Sequence, residues 1–233
     1  GITVTASNNV VIDGLSLTSW ATGIFVTGGP FTGLRISNNV FTNCTTLAIS
    51  GANVNSSHFT DNEIQHGGSG IELDTVNSTI IQNNHIHDMS GFGIHIFSSI
   101  ATSTGNTLSY NDIHDLDWDG IRVGANCINS SVLSNTVHLT NRANSPTGFN
   151  LGGIAITSAS TTTVEYNTVY DVSDAGGITD TAGIYVDGSS VGGDIHYNRV
   201  ISNRNDGVAL LGYTSPPTVT CNHIYGNGQY GLR

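Results

Sequence analysis

An aliphatic–x–aliphatic triplet preceded by glycine recurs along the chain. It occurs at Gly1-Ile2-Thr3-Val4, Gly23-Ile24-Phe25-Val26, Gly70-Ile71-Glu72-Leu73, Gly93-Ile94-His95-Ile96, Gly120-Ile121-Arg122-Val123, Gly153-Ile154-Ala155-Ile156, Gly183-Ile184-Tyr185-Val186 and Gly207-Val208-Ala209-Leu210. Thr46-Leu47-Ala48-Ile49 stands in the one missing place, and Gly231-Leu232-Arg233 begins another. A second landmark is an Asn with an apolar residue three positions before it and another two after. It recurs at Asn39, Asn62, Asn84, Asn111, Asn135, Asn167, Asn198 and Asn222, with Leu15 in the same place in the first turn, at intervals of 22 to 32 residues. Period-two alternation marks short strands, here one at the glycine landmark and one on each side of the Asn. A repeat of this length is read as one coil of a stacked solenoid. About nine coils at roughly 4.7–4.9 Å per rung predict three parallel sheets and a body on the order of 40 Å long. At a tight bend an Asn amide can bond the backbone and its counterparts above and below, so the Asn column is expected to form a ladder.

This two-landmark coil resembles the right-handed β-helix family that includes pectate lyases, polygalacturonases and alginate-acting enzymes, and the resemblance covers essentially the whole chain. It implies an all-β, right-handed parallel β-helix with residues 1–233 as a single domain. It also implies an extracellular, secreted or cell-surface protein whose partner is a polysaccharide. Motif elements in such a fold recur for packing reasons, so the resemblance speaks to fold more than to activity. The chain opens and closes at the same phase of the coil, with no amphipathic capping helix in the sequence. Solenoids need polar caps on their terminal rungs. The expectation is therefore part of a longer chain or assembly, with end-to-end or lateral self-association.

Composition narrows the partners. All six basic residues are Arg, Lys is absent, and the formal net charge is -11. Phosphate binding wants a basic stripe, so a nucleic-acid partner is not expected. No run of apolar residues is long enough for a membrane span. Cys44, Cys127 and Cys221 fall in well-separated coils, too far apart to bridge, and are expected as free, mostly buried thiols.

In a solenoid, equivalent positions stack into columns. The outward column at the glycine strand reads Thr3, Phe25, Ala48, Glu72, His95, Arg122, Ala155, Tyr185, Ala209 and Arg233, which puts Glu72, His95 and Arg122 on consecutive rungs. Charge pairing between solvated rungs would account for that row, at little energetic consequence. Against it, most of the His and many of the acids fall between Asp61 and Asp119, whereas a uniform structural role would spread them. Just before the glycine, Asp115-Leu116-Asp117-Trp118-Asp119, with Asp88 one turn below, is expected to border the same sheet. Asp117-Trp118-Asp119-Gly120-Ile121 is similar to the polygalacturonase segment whose aspartates precede an Asp-Gly-Ile strand, which implies Asp117 and Asp119 as catalytic acids. Elimination across a uronic acid instead needs a cation at the carboxylate and a base beside it. Arg122 is the candidate cation and His95 the base, with Glu72, Asp74, Asp117 or Asp119 available to hold Ca²⁺ as cofactor. Phe25, Tyr185 and Trp118 are candidate sugar-stacking residues and Asp88 a substrate contact. Residues 139–152 and 171–182 are long enough to wall the sheet.

Three positions after each ladder Asn, a second column reads Gln65, His87, His114, His138 and Tyr170, and three stacked imidazoles suggest a transition-metal site. Parallel stacking aligns the tips instead of converging them, which weighs against it. His85, Asp112 and Glu63 on the adjacent column are further candidate ligands. The sequence thus supports two functions of different class. One is a polysaccharide-binding β-helix that cleaves an acidic, uronic-acid-bearing glycan by elimination or hydrolysis. The other is a noncatalytic β-solenoid of an adhesin, sheath or extracellular filament.

Overall fold

The computed structural model describes residues 1–5, 7–143, 151–173, 181–212 and 215–233. Among these, the regular structure is strand, arranged as about nine coils and three parallel sheets. One sheet carries the glycine-landmark strands, from Ile2–Val4 through Ser69–Asn77, Ile94–Phe97 and Ile121–Val123 to Asp206–Leu211. A second runs from Val11–Asp13 to Thr218–Thr220 on the N-terminal side of the ladder Asn. A third runs from Ser16–Thr18 to His223–Tyr225 on its C-terminal side. Among the described residues no helix is long and apolar enough to cross a membrane.

The interior is built from one inward side chain per strand on the second and third sheets and two per strand on the glycine sheet. Phe59, Ile81, Leu108 and Val132 stack on the second sheet, Ile64, Ile86, Ile113 and Val137 on the third, and Ile71, Ile94 and Ile121 on the glycine sheet, all essentially without exposure. The glycine landmark has a packing cause. A Cβ on Gly120 would overlap the Val137 side chain and the Gly153 carbonyl oxygen, and Gly93 and Gly153 meet the same obstruction from Ile113 and Val169. The third sheet's inward residue fills the space a larger side chain would need.

That constraint corrects one rung of the outward column. Ile49 pairs with Ile71 and Ser50 with Glu72, so Ser50, not Ala48, stands between Phe25 and Glu72. Ala48 is fully buried and takes the glycine slot, as the next smallest side chain can.

The Asn residues form the expected ladder. From Asn39 to Asn198 each side-chain Nδ2 donates to the Oδ1 of the next rung's Asn, ending at Asn222, at 2.9–3.1 Å. The same Oδ1 accepts the backbone N–H of the Asn below, and in the first turn the N–H of Leu15. The residue ahead of each ladder Asn is left-handed, among them Asn38, Asp61, Asn83, Tyr110, Ser134 and Tyr166. The bend therefore turns in a single residue. A parallel device, not expected from the sequence, runs along the other end of the second sheet. Leu34, Ser57 and Thr79 donate their backbone N–H to Ser57, Thr79 and Asn106 in turn. The thiols are free as expected, with Cys44 and Cys127 buried, but Cys221 is exposed because it occupies a left-handed bend position.

Asn135→Ala would strand the Leu108 carbonyl and the Asn111 N–H that the amide now satisfies. A loss of roughly 2–5 kcal/mol is expected from urea unfolding. Asn222→Ala, at the half-exposed last rung, is expected to cost less than half as much, because water can replace the amide there.

Candidate functional site

The register places Glu72, His95 and Arg122 directly beside one another on the glycine sheet. The three are not equally available. His95 is only 8% exposed. Its ring lies face-on to Phe97 at 4.7 Å and edge-on to Phe92 at 5.5 Å, and its Nδ1 is 3.4 Å from Glu72 Oε2. Burial lowers its pKa, against the opposing pull of Glu72, so the imidazole is held neutral near pH 7.

Arg122 donates to Thr157 Oγ1 at 3.2 Å and to Asp119 Oδ2 at 3.3 Å. Asp119 has no exposure, and its Oδ1 accepts the backbone N–H groups of Leu151 and Gly152. Desolvation raises its pKa to about 6, with Arg122 and the two N–H groups pulling the other way. A side chain so enclosed does not reach a substrate: Asp119 is an anchor for Arg122 and for the strand Gly152–Ile156, not a solvent-facing acid.

Glu72 instead faces a groove of about 460 Å³ lined by Leu47, Ser69, Ser90, Phe92 and Trp118. Trp118 and Phe92 lie 6.5 Å apart and form an apolar wall along it. Trp118 is thus brought to Glu72, as the sequence suggested. Phe92 and Phe97, which cover His95, did not stand out in the sequence, because each reads as an ordinary strand or loop apolar residue.

Other candidates lie elsewhere. Asp117 approaches Arg142 at 4.0 Å. Phe25 is exposed two rungs below Glu72. Tyr185 is nearly buried and packs with Ala182 and Ala209 against Leu151 and Leu211. It is part of a small apolar cluster, not an open platform. Residues 144–150 and 174–180, the middle of the two expected walls, lie outside the described residues. Asp74 accepts from Thr75 and Ser99. Ca²⁺ wants six to eight oxygen ligands. Among the described residues, the groups of three or more His, Cys, Asp or Glu side chains close enough to share an ion all contain histidine, and Glu72, Asp74, Asp117 and Asp119 belong to none of them.

Asp88 does not border the glycine sheet. It sits at the end of the third sheet, bonded to His87 Nδ1 at 2.7 Å and 3.9 Å from His66. There the histidines gather. His87, His114, His138 and Tyr170 stack with nearly parallel rings, 4.5–5.2 Å between centroids. Stacking of this kind does not converge nitrogens, and among the described residues His138 Nδ1 has no hydrogen-bond partner. Convergence occurs instead across the two columns. Glu63, His85 and His87 bring one donor atom each together, and so do His85, Asp112 and His114. The signal for this was the repeated pair His85-Ile86-His87-Asp88 and Asp112-Ile113-His114-Asp115, in which a left-handed Asp follows each inner His.

A family model described as a right handed beta helix region matches residues 1–151 and 139–233. No curated protein matches the sequence. Among solved structures, a point mutant of the periplasmic alginate epimerase AlgG superposes with a TM-score of 0.66 at 17% identity, over 89% of this chain and 52% of that one. The A-module of the mannuronan C-5 epimerase AlgE4 from Azotobacter vinelandii gives 0.59 at 14% identity, over 94% and 62%. An alginate lyase from Paenibacillus sp. str. FPU-7 gives 0.58 at 13% identity, over 99% and 97%. The chain spans about half the length of AlgG and nearly all of the Paenibacillus lyase. At these identities the likeness is one of fold.

The raised Asp119 pKa has a thermodynamic signature. Between its unfolded value of 3.8 and about 6 the folded chain holds a proton the unfolded chain has lost. Stability from this group is therefore full below that window and falls as pH rises through it. Asp119→Asn removes the titration. The stability difference between parent and variant, from urea midpoints at about pH 4 and about pH 7, is expected to shift by up to about 3 kcal/mol.

Proposed function

We propose a function for a chain that belongs to the right-handed β-helix family: it binds an extended polysaccharide across the central coils of the glycine sheet and cleaves a uronate-bearing one by elimination. The observation that carries this reading is the groove in which the Glu72 carboxylate stands beside Trp118 and Phe92, on the same row as His95 and Arg122. Aromatic walls with a few polar groups are what a sugar ring needs, apolar faces for its C–H surfaces and acceptors for its hydroxyls.

Elimination fits the row better than hydrolysis. Two-carboxylate hydrolysis wants a pair of carboxyl groups facing the scissile bond. Here Asp119 is enclosed and Asp117 lies toward Arg142, which leaves Glu72 as the acid in contact with His95. In the proposed step the hydrogen on the carbon beside the uronate carboxylate passes to the Glu72–His95 pair. Its electron pair closes a carbon–carbon double bond, and the glycosidic oxygen leaves and takes a proton from water. The substrate carboxylate lies toward Arg122. A proton on Asp119 lowers the negative charge beside that guanidinium, so binding of the anionic sugar is favoured below about pH 6. No step passes through Ca²⁺. The fold's neighbours include an alginate epimerase and an alginate lyase, which supports a polysaccharide as the substrate class.

A second reading, a noncatalytic surface solenoid, draws on the enclosure of His95 and the pairing of Arg122 with Asp119, since both groups have partners inside the protein. Incubation with a panel of acidic polysaccharides, followed by ultraviolet absorbance of unsaturated products and by reducing ends, decides between the two. Activity is expected on at least one uronate polymer, and Glu72→Gln and His95→Ala should each lower kcat by about 10²–10⁴-fold. Trp118→Ala should weaken binding roughly fivefold, as loss of a stacking contact of about 1 kcal/mol requires. Silence on every polymer with unchanged oligosaccharide binding in Trp118→Ala would leave the solenoid reading standing.

A further inference from the structure

The cluster on the third sheet contains a contact that the carbohydrate reading does not use. His85 Nε2 and His114 Nε2 face each other at 3.0 Å. The other nitrogen of each ring is already committed: His85 Nδ1 to Glu63 Oε2 at 2.9 Å, and His114 Nδ1 to Asp115 Oδ2 at 2.8 Å. A carboxylate oxygen accepts and does not donate, so both Nδ1 atoms carry the hydrogen. In the neutral rings that leaves two Nε2 lone pairs pointed at each other, a repulsive arrangement unless something positive lies between them. Asp112 Oδ2 is 4.0 Å from His85 Nε2, and one atom from each of His85, Asp112 and His114 falls within 4.8 Å of the others.

We propose that a divalent transition-metal ion, of the zinc class, binds between His85 Nε2, His114 Nε2 and Asp112, with Glu63 and Asp115 orienting the two imidazoles. The donor set is imidazole and carboxylate, which suits zinc, cobalt, nickel or copper better than calcium or magnesium. Metal-ligating histidines almost always donate their other ring N–H to a carboxylate, a backbone carbonyl or water, and both rings here donate it to a carboxylate. Asp115 is itself held by Arg142 Nη1 at 2.6 Å. Zn–N bonds of about 2.0–2.1 Å in tetrahedral geometry put ligand atoms roughly 3.3 Å apart, so the two nitrogens need to separate by only a few tenths of an ångström. His85 and Asp112 are register partners on adjacent strands and His114 lies two residues beyond Asp112, so the triad is mounted on rigid backbone. The sheet is open to solvent there, His85 and Asp112 side chains being 42% and 54% exposed, which leaves the fourth position to water. His87 has both ring nitrogens on carboxylates, Asp88 and Glu63, and takes no part.

The test is titration of the EDTA-treated chain with Zn²⁺ by calorimetry and with Co²⁺ by visible absorption. One ion per chain is expected, with cobalt bands of tetrahedral or five-coordinate intensity. His85→Ala and His114→Ala should each weaken binding at least 100-fold, and Asp115→Asn by about 10–100-fold with stoichiometry kept. His223→Ala, in the last coil, should leave binding unchanged. These side chains are on a solvated face, and a retained far-ultraviolet spectrum and Tm for each variant exclude misfolding as the cause. Absence of saturable binding, or binding that survives the double substitution of His85 and His114, overturns the proposal. Loss in His87→Ala with retention in His114→Ala overturns the placement, because it moves the ion to Glu63, His85 and His87.

Discussion

Every coil of this molecule must reverse direction three times without leaving a buried backbone group unpaired, and the bend between the second and third sheets meets that demand with one amide. A ladder Asn such as Asn111 accepts from Asn84 below and donates to Asn135 above and to the Ile81 carbonyl. An unpaired buried group would cost on the order of 1–3 kcal/mol, so the amide cannot be exchanged for an apolar side chain of similar size without loss. Because each amide bonds to its equivalent in the next coil, the ladder also sets the register between coils. Inserted residues are displaced to other corners. The longest intervals, 32 and 31 residues, still return to Asn167 and Asn198 at the same bend.

A fixed register turns the outer surface into columns whose members are far apart in sequence and close in space. The core leaves those outward positions unconstrained, so chemistry can be placed there one rung at a time. On the glycine sheet, three rungs carry Glu72, His95 and Arg122. On the third sheet, the strands just ahead of them in the same three coils carry Glu63, His85, His87, Asp112 and His114. The same coils supply both clusters, one face each, and only a short bend separates the faces along the chain.

Burial then divides these groups by role. Asp119 and Asp88 look alike in sequence, each an acid in a His- and Asp-rich stretch. Asp119 is enclosed and its pKa is raised by desolvation, whereas Asp88, exposed at a left-handed bend, has its pKa lowered by its bond to His87. His95 and His87 divide in the same way. Desolvation dominates for His95 and lowers its pKa, while two carboxylates outweigh it for His87 and raise it. Residue type states what a group can do; the surroundings choose its charge state.

By itself the sequence determined the coil, its three strands, the Asn ladder and the inward apolar residues, because these are local and repeat: a period-two strand and a one-residue bend are each encoded within a few positions. It also determined that Glu72, His95 and Arg122 are neighbours, since a register set by landmarks is arithmetic. Where a landmark was degenerate the arithmetic slipped, and Ser50 took the place assigned to Ala48 because only a small residue fits beside the third sheet's packing. The tertiary structure decided what arithmetic cannot reach. It enclosed Asp119 through backbone N–H groups 32 and 33 residues away, and it packed Tyr185 into a small apolar cluster. It moved Asp88 to a different face and turned His85 toward His114 across columns that a one-dimensional reading treats as parallel. Side-chain direction and desolvation depend on atoms contributed by several coils at once, and no single repeat contains them.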